Sequence, residues 1–288
     1  MAMIEWLSNP AAADNAMRRR QILLGQTTGI QPSRACPMDR RFSYSLYVPE
    51  SWSPETAARH RFLVAMHGTS RGAETARDLY ADLAEEIQCL VLAPLFPMAV
   101  TDQEEMHNYI WVSYQDIRYD RILFAMLDEA SRRYGVPADR FALTGFSGGG
   151  QFGHRMLYLH PERLSAISIG APGMVTLLDD SRDWFTGTRD FESRFGKRLD
   201  LPAIRRVPVH IVVGGDDKHP EINVEPGDPL FAPGINDTGS TRVQRAQALR
   251  DSLARHDIRS RFDIVPGATH SPKEVLLAVE SFLRGVML

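Results

Sequence analysis

The hexapeptide Gly145-Phe146-Ser147-Gly148-Gly149-Gly150 follows directly on the apolar run Phe141-Ala142-Leu143-Thr144. A serine with glycines two residues before and two residues after it, set between strand-like and helix-like sequence, requires a sharp strand-to-helix turn. The glycines stand where a side chain would clash, and the backbone at the serine is strained so that its hydroxyl is held at the end of a sheet. The first turn of the helix that follows aims free N–H groups and a partial positive charge at whatever forms beside that hydroxyl. The chain must therefore contain at least one buried strand followed by a helix.

The same alternation continues along the chain. Residues 41–48 alternate apolar and polar side chains (Phe42, Tyr44, Leu46, Val48), the pattern of a half-exposed strand near a sheet edge. Residues 62–66 are a continuous apolar run that predicts a strand buried on both faces, and 89–93, a short segment 164–169 and 207–213 read as further strands, with a last strand at 261–265. Helical spacing appears at 73–87, 116–134, 148–160, 241–256 and 272–286. Strands alternating with helices predict the α/β class, with a mostly parallel central sheet and helices on both faces. Residues 41–288 read as one domain. Residues 1–40 read as an N-terminal extension, with a short helix near 11–24 and a Gly/Pro/Thr-rich connection. Segments 172–206 and 218–240 break the rhythm. The first carries Trp184, Phe185, Phe191 and Phe195 among charges, and the second is rich in Pro and Gly. Connections of that length in a compact domain are usually functional or disordered. Both leave strand ends on the serine's rim, which predicts substrate-side cover, with 172–206 as a lid insertion.

Composition excludes several classes. With 33 basic and 36 acidic residues the formal charge is −3, which argues against a nucleic-acid surface. Arg18-Arg19-Arg20 is the only dense basic run and reads as a solvated helix face. Cys36 and Cys89 lack metal-type spacing and need not pair, which fits a reducing compartment. No apolar segment approaches the ~18 residues of a membrane span, and residues 1–30 lack a signal-type stretch. These traits predict a soluble, cytoplasmic chain without membrane partners. Oligomeric state leaves no trace in the sequence.

A serine hydroxyl becomes a useful nucleophile only when a base takes its proton, and an imidazole does this best near neutral pH. His270, in Gly267-Ala268-Thr269-His270-Ser271-Pro272, lies between the last predicted strand and the last helix, which puts it on the rim where Ser147 emerges. The run Val209–Val213 leads into Gly214-Gly215-Asp216-Asp217, and a carboxylate just past a buried strand can hold the His Nδ1–H. Asp217 has the favoured spacing, with Asp216 as the alternative. Two N–H donors are needed for an oxyanion. Gly148 supplies one, and Thr69, in His67-Gly68-Thr69-Ser70-Arg71-Gly72 after the strand at 62–66, supplies the other. His67 reads as structural. Ser70, Arg71, Trp111 and Trp184 are candidate substrate contacts. Asp216, Asp217, His219 and Glu221 crowd one loop, with His210 before it, but no tight ligand pair exists and no metal site is predicted.

These pieces, in this order, resemble the α/β-hydrolase superfamily over residues 40–288. They are most similar to the branch of polyhydroxybutyrate depolymerase and feruloyl esterase, in which a strand ending in His-Gly precedes a Gly-x-Ser-x-Gly elbow and a late Gly-x-x-His. The resemblance implies cofactor-free hydrolysis of a small-molecule ester through an acyl-enzyme. The sequence leaves open thioester or amide hydrolysis, acyl transfer, and a non-catalytic ligand-binding role on the same scaffold.

Overall fold

In the computed structural model residues 27–103, 105–219, 222–228 and 230–288 are described. The helix expected near 11–24 lies outside the described residues. Among the described residues ten strands form, β1 (Gly29–Ala35), β2 (Ser43–Val48), β3 (Arg61–Met66), β4 (Cys89–Leu95), β5 (Ser113–Tyr114), β6 (Ile117–Arg118), β7 (Phe141–Phe146), β8 (Leu164–Gly170), β9 (Val209–Gly214) and β10 (Ser260–Val265). Eight of them make one sheet in the order β1-β2-β4-β3-β7-β8-β9-β10, and β5 with β6 makes a separate hairpin. From β4 to β10 every pairing in the large sheet is parallel, while β1 and β2 run antiparallel at one edge.

The strands are apolar on both faces because both faces are covered. Phe62, Val64 and Met66 of β3 point into one core, and Leu63 and Ala65 into the other. The first core is closed by α3 (Tyr119–Tyr134), α4 (Gly148–Leu159) and α7 (Arg242–Arg255), and the second by α1 (Ala73–Asp78), α2 (Ala81–Ile87) and α8 (Leu276–Met287). Two short helices, α5 (Phe191–Phe195) and α6 (Leu201–Ile204), sit in the long connection after β8. On α3, Ile122, Leu123, Met126, Leu127 and Ala130 make one buried stripe, the spacing the sequence carries. The helix ends at Gly135, whose φ of 67° and N–H bond to the Ser131 carbonyl make the left-handed cap expected there.

Two expectations change. Residues 29–35, assigned to an extension, are an edge strand of the sheet. Its polar sequence, with Pro32 where the register shifts, carries no strand signal, and an edge is where proline is tolerated. The single helix expected over 73–87 is two, because the chain leaves helical geometry at Tyr80, whose ring is buried against the second core.

Consecutive strands step outward in opposite directions from the β3–β7 pair: β3 leads to β4 on one side, and β7 leads through β8 and β9 to β10 on the other. The carboxyl ends of β3 and β7, aligned by the pairing of Met66 with Gly145, form the switch point of the sheet. In parallel sheets, ligand sites open at such a crevice.

Candidate active site

Ser147 is the hinge between β7 and α4. Its backbone stands at φ 56°, ψ −115°, a conformation that costs about 1–3 kcal/mol for a residue with a side chain. The surroundings enforce it. A Cβ at Gly145 would lie 2.5 Å from the backbone of Gly149, and one at Gly149 would lie 2.6 Å from the Met66 carbonyl oxygen. The helix therefore packs so close to β3 and β7 that only glycine fits on either side of the serine. The Ser147 N–H donates to the Gly170 carbonyl at 2.9 Å, which ties the turn to β8.

The histidine arrives from the opposite end of the chain. After β10 the loop is stitched to the end of β9, with the Gly215 N–H donating to the Val265 carbonyl (2.8 Å) and the Asp216 N–H to the Ala268 carbonyl (2.9 Å). This brings Nδ1 of His270 within 2.6 Å of Oδ2 of Asp217. Asp217 is wholly buried, and its other oxygen accepts from Arg242 at 3.1 Å. Burial alone would raise the Asp217 pKa, but the His270 hydrogen bond and the Arg242 charge outweigh it and hold the carboxyl below its ordinary range. Asp216 faces solvent and pairs with Lys218 at 3.0 Å. Of the two adjacent aspartates, Asp217 is the one that meets the imidazole.

His270 is half-buried, with its ring against that of Phe146 at 4.8 Å between centroids. It shares with Ser147 a cavity of about 390 Å³. The Ser147 hydroxyl has no hydrogen-bond partner among the described residues; it and the imidazole open into the same space without a bond between them. In unliganded sites such bonds are often long and tighten when substrate binds.

The two amides expected to face an oxyanion lie together. A Cβ built on Gly148 would sit 3.2 Å from the Thr69 nitrogen and collide with the Tyr109 hydroxyl. Among the described residues neither the Thr69 nor the Gly148 N–H donates to any group. Gly148 opens α4, where N–H groups have no partner inside the helix. The loop bearing Thr69 is fixed from below by His67, whose Nδ1 meets the Gly68 carbonyl at 2.8 Å and whose Nε2 accepts the Phe96 N–H at 3.0 Å. Both ring nitrogens are thus occupied in the neutral form, and burial pulls His67 down to about 4. His67 is a structural staple.

The other expected contacts divide. Ser70 lines the Ser147 cavity. Arg71 does not. Its guanidinium donates to the carbonyls of Phe96 (3.2 Å), Thr69 (2.6 Å) and Met106, and to Asn108 Oδ1 at 3.3 Å. It clamps the loop to the chain beyond β4 and is spent on these acceptors. Trp111 and Trp184 line a second cavity of about 750 Å³, whose lining shares no residue with the first. The segment 172–206 contributes no lining residue to the Ser147 cavity among the described residues. Its aromatics satisfy one another instead: Trp184 packs on Phe191 and Phe195, and Phe185 stacks on Trp111 over the buried guanidinium of Arg155. His210 turns to Ser168 and Asp263, away from Asp217, and no group of three potential ligands gathers among the described residues. His154, on α4, is buried between the Gly150 carbonyl and the Thr176 N–H.

Sequence reasoning missed Arg242, Tyr109 and the Tyr80–Thr144 pair. Tyr109 donates to the His67 carbonyl at 3.1 Å and fills the space above Gly148.

Comparison with known proteins places the architecture. No family model matches the chain, and no curated protein sequence matches it. Solved structures do. Poly(aspartic acid) hydrolase-1 from Sphingomonas sp. KT-1 superposes with a TM-score of 0.67 at 21% identity, covering 83% of this chain and 92% of that one. A poly(3-hydroxybutyrate) depolymerase from Bordetella parapertussis gives 0.64 at 21% identity, over 84% of this chain and 83% of that one. A ferulic acid esterase gives 0.55 at 15% identity, over 85% and 92%. The chain has the fold these proteins share, the α/β-hydrolase fold.

Proposed function

We propose that the protein is a serine hydrolase that cleaves carboxylic esters through an acyl-enzyme. One observation carries the reading: His270, joined at 2.6 Å to the buried Asp217, opens on the same cavity as a serine held in a strained turn. What sets His270 apart from His210, which also sits between a serine and a carboxylate but is enclosed, is that its ring opens on a cavity shared with a serine in a strained turn. The similarity in fold to hydrolases and esterases points the same way.

In this reading His270 accepts the Ser147 proton through Nε2 as the hydroxyl attacks the ester carbonyl. Asp217 keeps the Nδ1 proton in place, which fixes the tautomer, and stabilises the imidazolium that forms. Negative charge developing on the carbonyl oxygen is received by the N–H groups of Thr69 and Gly148, which have no other acceptor among the described residues to give up. His270 then protonates the departing alcohol, and water repeats the sequence on the acyl-serine. Each role needs only this chain's own groups.

A fluorophosphonate should label Ser147 and no other residue, read by mass spectrometry of the digested protein. Ser147→Ala and His270→Ala should each lower ester hydrolysis by about 10⁴-fold or more with circular dichroism unchanged. A folded protein that neither reacts with the probe nor hydrolyses any ester would falsify the reading.

A further inference from the structure

The cavity beside Ser147 is walled by Met66, Ala76, Leu79, Phe146 and Pro272, with uncharged Thr69, Ser70 and Thr75 among its polar groups. No carboxylate, lysine or arginine lines it among the described residues, and Arg71, the nearest cation in sequence, is held by carbonyls elsewhere. Burying an unpaired charge in such a place is strongly unfavourable. Two further lining residues, Tyr80 and Thr144, are both buried and share one hydrogen bond of 3.2 Å between their hydroxyls. Two hydroxyls carry two donatable protons and this bond uses one. Neither hydroxyl has another partner among the described residues, so one proton faces no acceptor. Burial keeps Tyr80 protonated, with its pKa pushed up to about 12.

We infer that this cavity holds the acyl chain of the ester, and that the chain is neutral, of medium length, and carries a hydrogen-bond acceptor near its far end for the Tyr80–Thr144 pair. The inference rests on Ser147 being the nucleophile. The acyl arm is assigned here because it stays on the serine through both half-reactions, whereas the alcohol must leave and be replaced by water, which favours the open side. Thr144 precedes Ser147 by three residues of strand, about 10 Å at about 3.3 Å per residue. The volume of about 390 Å³ has room for on the order of ten non-hydrogen atoms at about 30 Å³ each. Ala76 and Leu79, at the helix α1 wall, then set how far a chain can enter.

The test is a set of p-nitrophenyl esters given to the full chain: acetate, hexanoate, 5-oxohexanoate, dodecanoate and the monoester of glutarate. Hexanoate should exceed acetate in kcat/KM by about tenfold or more, dodecanoate should fall back, and the anionic glutarate ester should be poorer than hexanoate by a similar factor. The 5-oxo ester should be favoured over hexanoate. Replacing both hydroxyls, Tyr80→Phe with Thr144→Val, should erase that last preference while the preference for hexanoate over acetate persists. Ala76→Trp should collapse the hexanoate-to-acetate ratio, with its melting curve recorded alongside. A flat acyl-length profile in the unaltered protein, a preference for the carboxylate-tipped ester, or length dependence found only in a series of alkyl acetates would each overturn the inference while leaving Ser147 as nucleophile. Absence of all hydrolysis together with an unlabelled Ser147 would instead remove the catalytic reading, and this one with it.

Discussion

Asp217 shows how much one side chain's surroundings decide. It is buried and accepts from both His270 and Arg242, and these contacts hold its pKa below the usual carboxylate value in spite of burial. A carboxyl whose folded pKa is depressed stabilises the fold at pH values above its unfolded pKa, near 4, and that contribution is lost as pH falls through the lower folded value. Urea unfolding should therefore find Asp217→Asn less stable than the unaltered protein at neutral pH, with the gap closing below about pH 4; a gap that stays constant would refute the assignment. The same change should lower kcat by about 10⁴-fold, as expected when the carboxylate that fixes the imidazole tautomer is lost, while Asp216→Asn leaves it within a factor of a few. The turn at Ser147 and the meeting of His270 with Asp217 were legible because Ser147 and Asp217 follow strands buried on both faces, and His270 falls in the connection between the last strand and the last helix. Arg71 was not, since its partners are main-chain carbonyls of residues 69, 96 and 106, which carry no sequence signal. Tyr109 gave no motif for the same reason: what it contacts is the His67 carbonyl and the bare Cα side of Gly148.

Helix α7 places its first residue, Arg242, against Asp217, although a cation at a helix N-terminus opposes the macrodipole. The helix start is secured by other means. Thr241 accepts the Gln244 N–H and the Gln244 side chain returns to the Thr241 N–H, a reciprocal cap. Thr241→Ala should lower stability by about 1 kcal/mol in urea unfolding and should also reduce activity, because Arg242 hangs from that turn. Arg242→Met should lower stability by about 1–3 kcal/mol, having removed a charged hydrogen-bond partner from a buried carboxylate, with Arg242→Lys recovering part of the loss; Arg242→Met as stable as the parent would show the pair to be idle. The element itself was readable from its period, but the role of its first residue was not, since Arg242 lies 25 positions from Asp217 and looks like any basic residue on a polar helix. The edge strand β1 escaped for a different reason. A strand with one neighbour and Pro32 in it needs little apolar sequence, whereas the interior strands, buried on both faces, announced themselves.

At the scale of the whole molecule, three of the enclosed histidines, in different parts of the fold, are kept neutral there. His67 lies under the loop after β3, His154 inside α4, and His210 on β9 between Ser168 and Asp263. Burial brings His67 and His210 to about 4, in the second case against the pull of the Asp263 carboxylate, and pushes His154 well below its usual range. In the unfolded chain all three titrate near 6.5. Between that value and about 4 the unfolded state therefore binds more protons than the folded one, and stability must fall with falling pH. Each group contributes a slope of up to about 1.4 kcal/mol per pH unit, so the fold as a whole should weaken steeply over a range in which its carboxylates are still ionised. Melting curves recorded from neutral pH down to about 5 should show the midpoint dropping throughout, and His210→Asn should flatten the drop even if it starts from a lower midpoint. A midpoint independent of pH over that interval would mean that these rings take up protons inside the fold, which the Phe96 N–H and the Thr176 N–H, each donating to a ring nitrogen, leave no room for at His67 and His154.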